Sequence, residues 1–389
     1  MTDLLRQEVV ASAHTVVIKL GTRVLTQPDG TLDRDRIGLL VDDLHELLTS
    51  GRRVIVVSSG AVGAGMSQLG LQQRPRDLAT LQAVAAIGQA KLIEAYDGHL
   101  RRYGRHAAQV LLTADDLRHR SRYLNVRNTL LTLLQMGTVP IINENDTVAV
   151  EELQTTFGDN DRLAALVTNL LRAPLMIILS DVDGLFDGDP QLASSKVIPT
   201  VTHVDESIMA LARDHKTGLS KGGMASKLRA AQITTAAGEN VIIASGRRPD
   251  TIRQIMQGQA SGTLFLAQGK SLTPRKRWLG FTTQPRGSLV VDRGAHRAIQ
   301  QQGRSLLAIG IVATEGDFAK GDVVALLDPE RKEFARGLTN YTAAELRRIQ
   351  GVKSDQIAGV LGQRPYEEVV HRDNMLVIVP DGSPSTSHG

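Results

Sequence analysis

Two lysines in glycine-rich loops, far apart in the chain, have the type and setting to handle phosphate. Lys19 opens the turn Lys19-Leu20-Gly21-Thr22, and Lys227 ends the loop Gly218-Leu219-Ser220-Lys221-Gly222-Gly223-Met224-Ala225-Ser226-Lys227. A lysine beside glycine at a strand end can project its ammonium into a crevice while backbone amides approach the same anion. The second loop runs into a helical stretch, so Lys227 and several amides could meet a polyphosphate at a helix start, with Lys221 adding a second positive charge. The spacing is not the Walker pattern, because Lys227 stands four residues beyond Gly223 rather than next to it. A surface lysine before a turn, and a solvated loop with an exposed helix lysine, remain the plainer readings of each stretch alone.

Three further loops carry concentrated polar chemistry. Ser58-Ser59-Gly60-Ala61-Val62-Gly63-Ala64-Gly65 follows an apolar run and opens a helix, where amides and the helix dipole favour a carboxylate or phosphate. Its glycines could equally serve only the turn. Asn143-Glu144-Asn145-Asp146 and Gly158-Asp159-Asn160-Asp161 offer many short donors and acceptors. That suits an amino-acid ligand, whose ammonium needs carboxylates and whose carboxylate needs amides. Capping of the next helix by Asp159 or Asn160 is the alternative. The run Ser180-Asp181-Val182-Asp183-Gly184-Leu185-Phe186-Asp187-Gly188-Asp189-Pro190 superficially resembles a calcium loop. The glycine of that motif would fall at Phe186 and its last ligand at Leu192, so calcium is rejected and no metal site is assigned.

These loops need strands and helices to hold them. Thr15–Leu20, Arg53–Ser58, Ala108–Leu112, Val139–Ile142, Leu175–Ser180 and Asn240–Ala244 are short apolar runs that read as buried strands. Helical spacing occupies Arg34–Leu48, Leu81–Tyr103, Arg122–Gln135, Asp159–Leu171 and Gly223–Ala237. Such alternation predicts an α/β fold, a mostly parallel sheet sandwiched by helices, with ligands beyond the carboxyl ends of its strands. Past residue 265 the pattern changes to short strand-like pieces, Ser288–Val291, Ala308–Ala313, Val323–Leu327 and Glu333–Leu338, separated by Gly/Asp turns. The expected organisation is a first domain over 1–265, a linker over 266–285, a small mainly-β domain over 286–364 and a tail over 365–389.

The bulk properties narrow the class. With 389 residues, 42% hydrophobic and 22% charged, the chain has the makings of two globular domains. No cysteine is present, which removes disulfides, thiolate metal sites and cysteine nucleophiles. No apolar stretch approaches a membrane span and the N-terminal segment lacks a signal-peptide core, so a cytoplasmic location without membrane contact is expected. The net charge is +4, and residues 286–364 hold 12 basic and 9 acidic side chains, leaving that segment at +3. With aromatics at 3%, strong RNA binding is not expected.

Taken in order, Val17-Ile18-Lys19-Leu20-Gly21-Thr22, Ser59-Gly60-Ala61, Ile142-Asn143-Glu144-Asn145-Asp146, Gly158-Asp159-Asn160-Asp161, Asp183-Gly184-Leu185-Phe186, Gly222-Gly223-Met224-Ala225-Ser226-Lys227 and Arg275-Lys276-Arg277-Trp278 resemble the amino acid kinase family, in particular its members that phosphorylate glutamate. The segment 286–364 resembles a PUA domain. The resemblance implies transfer of phosphate from ATP, accompanied by Mg²⁺, to the side-chain carboxylate of L-glutamate, the first step of proline biosynthesis. Lys19 and Lys227 then look like the pair that neutralises the transferring phosphoryl group, and Asp161 like the carboxylate holding them. Ser59, Asn143, Asp146, Asp159 and Asn160 look like the glutamate-binding set. Ser180, Asp181 and the loop residues Lys221, Gly222, Gly223, Met224, Ala225, Ser226 and Lys227, with Lys19, look like the ATP side. The resemblance further implies proline as a feedback inhibitor and a homo-oligomer, dimer or tetramer.

The chain also departs from the family. Arg23 and Lys221 stand where the family commonly has a small hydroxyl residue and threonine, and Ser180 where threonine is common. Competing expectations are a family member acting on N-acetylglutamate, aspartate or UMP, and an RNA-binding or regulatory protein built around the PUA-like segment. Lys227 is expected in a solvent-open crevice.

Overall fold

A computed structural model of the chain describes residues 3–148, 160–212, 223–268, 279, 284–362 and 366–378. The chain divides into two compact units, Met1–Gln268 and Gly269–Gly389.

The first unit is built on eight strands: β1 (Thr15–Leu20), β2 (Arg53–Ser58), β3 (Ala107–Leu112), β4 (Val139–Glu144), β5 (Leu175–Ser180), β6 (Thr200–Val201), β7 (Asn240–Ser245) and β8 (Thr263–Phe265). They form one sheet in the order β3-β4-β2-β1-β5-β7-β8-β6. From β3 to β7 every pairing is parallel, and β8 runs antiparallel to β7. The central strands are mostly apolar along their length because both faces are covered: all six residues of β1 and of β5 are buried. The short strands β6 and β8 carried no sequence signal, being two and three residues long.

The order places β2 on one side of β1 and β5 on the other, so the chain reverses direction across the sheet at β1. A crevice opens beyond the carboxyl ends of strands at such a point. Backbone bonds just past the strand ends stiffen its floor. The N–H of Gly21 donates to Leu179 O at 3.1 Å, that of Ser59 to Leu20 O at 3.1 Å and that of Gly246 to Ser180 O at 2.7 Å.

Helices close both faces. Arg34–Thr49 starts where the Asp33 carboxylate accepts the Arg36 N–H at 2.9 Å, and Leu78–Leu100 where Asp77 accepts from Thr80 N–H at 2.9 Å. The helix Ala61–Leu69 lies in unusually close contact with Leu78–Leu100. A Cβ on Gly65 would stand 1.9 Å from Val84 O, and one on Gly88 1.8 Å from Ala61 O. Glycine at these positions therefore sets how near the helix start at Ala61 is drawn to its neighbour. Among the described residues no helix is long and apolar enough to cross a membrane.

The second unit has a five-stranded sheet made of β9 (Gly287–Val291), β10 (Ile311–Gly316), β11 (Val323–Leu327), β12 (Glu333–Leu338) and β13 (Met375–Val377), in the order β10-β9-β11-β12-β13. Its core gathers Leu289, Val291, Ile299, Val324, Leu326 and Tyr341. Two helices, Arg293–Gln302 and Ala343–Ile349, accompany the sheet, the second opened by a reciprocal Thr342–Glu345 capping box. Two expectations change here. Ala308–Gly310 forms a short 3₁₀ turn before β10, and the segment expected as a tail supplies β13, which pairs antiparallel with β12. Three residues give too short an alternation to register as a strand.

Candidate active site

Lys19 is the fifth residue of β1, and its side chain leaves the strand near the sheet's carboxyl edge. Asp161 sits in the first turn of the helix Asn160–Leu171, which packs against β1, and Lys227 in the first turn of Met224–Ala236. The three converge. Lys19 Nζ lies 2.7 Å from Asp161 Oδ1, and Lys227 Nζ 3.1 Å from Oδ2 of the same carboxylate. The Ser226 hydroxyl donates to Asp161 Oδ2 at 2.6 Å.

All three charged side chains are buried. Burial alone would raise the Asp161 pKa, but Lys19, Lys227 and the Ser226 hydroxyl outweigh it and bring the carboxyl down to about 2. The Lys227 ammonium is lowered, first by burial and then by Lys19, with Asp161 opposing. The expectation of a solvent-open Lys227 is corrected: it lines the crevice but, drawn onto the buried Asp161 carboxylate, is only 6% exposed.

A second group is a relay of side-chain amides. Asn160 Nδ2 donates to Ser59 Oγ at 2.9 Å and to Asn143 Oδ1 at 3.0 Å, and Asn143 Nδ2 donates to Gln89 Oε1 at 2.8 Å. Asn160 thereby commits both amide protons, while its Oδ1 is buried with no hydrogen-bond partner among the described residues. A buried acceptor left this way costs stability unless a ligand donates to it. Gln89 belongs to Leu78–Leu100 and was missed by sequence reasoning. Its signal was a polar residue on a stripe otherwise formed by Val84, Ala85, Leu92, Ala95 and Tyr96.

Asp146 follows β4 at the edge of the same cavity. Burial pushes its carboxyl up to about 6, against the pull of Arg74, a second residue that sequence reasoning missed. Arg74 lies in a loop with no local pattern to mark it. The helix Ala61–Leu69 begins at Gly60, whose φ of +106° only glycine adopts comfortably. Gly60, Ala61 and Val62 line the cavity, where the first amides of a helix have no intrahelical acceptor.

On the other side stand Ser180, at the end of β5, and Asp181. The Ser180 hydroxyl donates to Asp181 Oδ1 at 3.2 Å, and Arg23 Nη1 donates to Asp181 Oδ2 at 2.7 Å. Burial would raise the Asp181 carboxyl, but Arg23 chiefly holds it below the ordinary range. Gly223, Met224 and Lys227 line the same space. Ala225 is half-buried outside that lining, and the Ser226 hydroxyl turns to Asp161. Asp159, Lys221 and Gly222 lie outside the described residues.

Together these groups enclose a cavity of about 910 Å³, lined by Lys19, Ser59, Asn143, Asp146, Asn160, Asp161, Ser180, Asp181 and Lys227. That volume is at the upper end for small-molecule sites, enough for a nucleotide with a second, small substrate. Among the described residues no three acidic or histidine side chains gather as a metal cage. The arrangement offers two ammonium groups on one anchored carboxylate, amide and hydroxyl groups to one side, and a carboxylate–guanidinium pair to the other.

Residues 14–245 match the amino acid kinase family and residues 287–361 the PUA domain. A glutamate 5-kinase of Rhodopirellula baltica is 51% identical over 378 residues, 97% of each chain. Glutamate 5-kinases of Moorella thermoacetica and Citrifermentans bemidjiense are each 45% identical, over 97% and 96% of this chain and the whole of theirs.

Proposed function

This chain belongs to the amino acid kinase family, and from that premise we infer that it transfers the γ-phosphoryl group of ATP to the side-chain carboxylate of L-glutamate, giving L-glutamyl 5-phosphate and ADP. The observation that carries the mechanism is the Asp161 carboxylate with a lysine ammonium on each oxygen.

A glutamate carboxylate is ionised at neutral pH and is already a competent nucleophile, so the reaction calls for no general base. One P–O bond forms to the substrate carboxylate as the bond to the leaving ADP oxygen breaks, with no proton moved. The obstacle is the approach of two anions. Lys19 and Lys227 supply the opposing charge, and Asp161 fixes where that charge sits before the phosphoryl group arrives. The trio carries a net single positive charge, so the site attracts the transferring group without having to reorganise.

The amide relay positions the acceptor. Asn160 Oδ1 and the Asp146 carboxylate are suited to the glutamate ammonium. Ser59 and the first amides of Ala61–Leu69 are suited to its oxygens. Asn143, steadied by Gln89, holds Asn160 in place. Asp159 stays in the proposed set on the resemblance alone. Ser180, Asp181, Gly223 and Met224 form the nucleotide side, with Lys221 and Gly222 assigned there from sequence.

Mg²⁺ fits as an ion carried by the nucleotide rather than by a protein cage, since such ions commonly keep waters and bind through phosphates. When bound it would spread charge over the phosphate oxygens, and Asp181, which lines that side of the cavity, is the residue suited to its waters. Inhibition by proline at the glutamate pocket, and assembly into a dimer or tetramer, belong to the same proposal.

The test is to incubate the protein with Mg-ATP and, separately, L-glutamate, N-acetylglutamate or aspartate, trapping any acyl phosphate with hydroxylamine. Hydroxamate from glutamate alone, reduced by proline, is the expected result. Hydroxamate from N-acetylglutamate and none from glutamate would contradict the assignment.

A further inference from the structure

Besides Arg74, which faces Asp146, a further arginine lines this cavity on the nucleotide side. Arg23 stands on the short helix Thr22–Leu25 just after β1, and its guanidinium meets the Asp181 carboxylate just after β5. The contact joins residues 158 apart in sequence at 2.7 Å, and both line the cavity beside Lys19 and Lys227. The Arg23 side chain is 70% exposed and that of Asp181 27% exposed. An ion pair this open to water adds little to folding. Its position therefore matters more than its strength.

Asp181 on its own would repel an incoming polyphosphate. A guanidinium, by contrast, presents a planar fork of donors that fits phosphate oxygens in pairs. A polyphosphate also offers more negative charge than one carboxylate, and the exposed arginine has room to turn from one to the other. We propose that Arg23 is a nucleotide-binding residue: its guanidinium, paired with Asp181, exchanges onto the polyphosphate of ATP when the nucleotide binds. The inference rests on the reading of this crevice as an ATP site. Arg23 then supplies, from the β1 side, a positive group to the nucleotide beyond Lys19 and Lys227.

Binding of the non-hydrolysable analogue AMP-PNP, measured by calorimetry with Mg²⁺, tests this in the wild type and in R23T, R23K, D181N and the R23T/D181N pair. R23T should weaken AMP-PNP by about threefold to tenfold, as expected for one partly screened charged contact, and should flatten the salt dependence of binding. R23K should recover part of the loss, and the KM for glutamate should move by less than about twofold, because the glutamate side is untouched. The decisive comparison is the effect of R23T in the D181N background. The same factor there means that Arg23 touches the nucleotide itself. Disappearance of the effect means that Arg23 only masks Asp181, and overturns the proposal, as does unchanged AMP-PNP binding in R23T. Glutamate hydroxamate formed by the wild type checks the underlying reading separately: its absence defeats that reading, whereas its presence with an inert R23T defeats only this inference.

Discussion

Replacing Asp161 by asparagine removes one charge and little volume, and leaves two buried ammonium groups facing each other. The expected loss can be worked from proton linkage. The Asp161 carboxyl falls from an ordinary 3.8 to about 2 in the folded chain, and at 1.36 kcal/mol per unit that corresponds to roughly 2 kcal/mol of stability at neutral pH. Breaking a fully buried pair by deleting one partner costs about 3–5 kcal/mol. Asparagine can still accept from Ser226, and the ammonium groups face a cavity, so a value of about 2–4 kcal/mol is expected for Asp161→Asn. In a unit of this size that lowers Tm by about 5–10 °C.

The sign of the pH dependence is fixed. A depressed carboxyl contributes fully above about pH 4 and loses its contribution as pH falls towards 2, so the gap between wild type and variant should hold from pH 7 to 4 and halve near pH 3. Thermal unfolding followed by circular dichroism across this range is the assay. A variant as stable as the wild type at pH 7, or a gap unchanged at pH 3, would refute the claim that Asp161 is ionised and holds both lysines. Turnover should fall as well, by about a hundredfold or more, because the ammonium groups lose their fixed positions.

Two other substitutions probe the pocket and its scaffold. Asp146 ionises near 6, so the KM for glutamate should rise about tenfold per unit as pH drops below 6 and level off above 7, provided its carboxylate holds the substrate ammonium. In Asp146→Asn this pH dependence should vanish and the KM should stay high at every pH; a variant with the wild-type profile would remove Asp146 from the binding set. Gly88→Ala would put a Cβ 1.8 Å from Ala61 O, forcing two helices apart and costing about 1–3 kcal/mol or more. Its unfolding midpoint should fall and its glutamate KM should rise together, since Ala61 begins the helix that faces the pocket; an unaltered midpoint would contradict the close approach.

The parts of this architecture legible in the sequence are those with a local cause. Strands such as Val16–Ile18 and Leu175–Leu179 are continuous apolar runs because they are buried on both faces, and the Asn143–Asp146 cluster stands out because strand ends seldom carry so many short polar groups. Lys19 and Lys227 were each open to a bland reading, and only the fold brings them onto one carboxylate. Longer-range consequences left no mark. The Gln89–Asn143 bond spans 54 residues and the Arg23–Asp181 contact 158, so neither has a spacing to read. The glycines 65 and 88 looked like loop or helix glycines, whereas their function is to let two helix backbones meet. The strand β13 exists because β12 offers it an unpaired edge, a tertiary reason that three residues cannot announce.

The central claim is that the paired ammonium groups of Lys19 and Lys227 act on the phosphoryl group in flight. Lys227→Met keeps most of the side chain's length and removes its charge. Single-turnover formation of glutamate hydroxamate, at saturating Mg-ATP and glutamate, measures the step directly. A rate lowered by about a hundredfold to a thousandfold, with glutamate binding little changed and the unfolding midpoint lowered by no more than in Asp161→Asn, since Lys19 and Ser226 still hold the carboxylate, is the predicted outcome. A single-turnover rate within about twofold of the wild type would contradict it, because a group that stabilises the transferring phosphoryl cannot be removed at so small a cost.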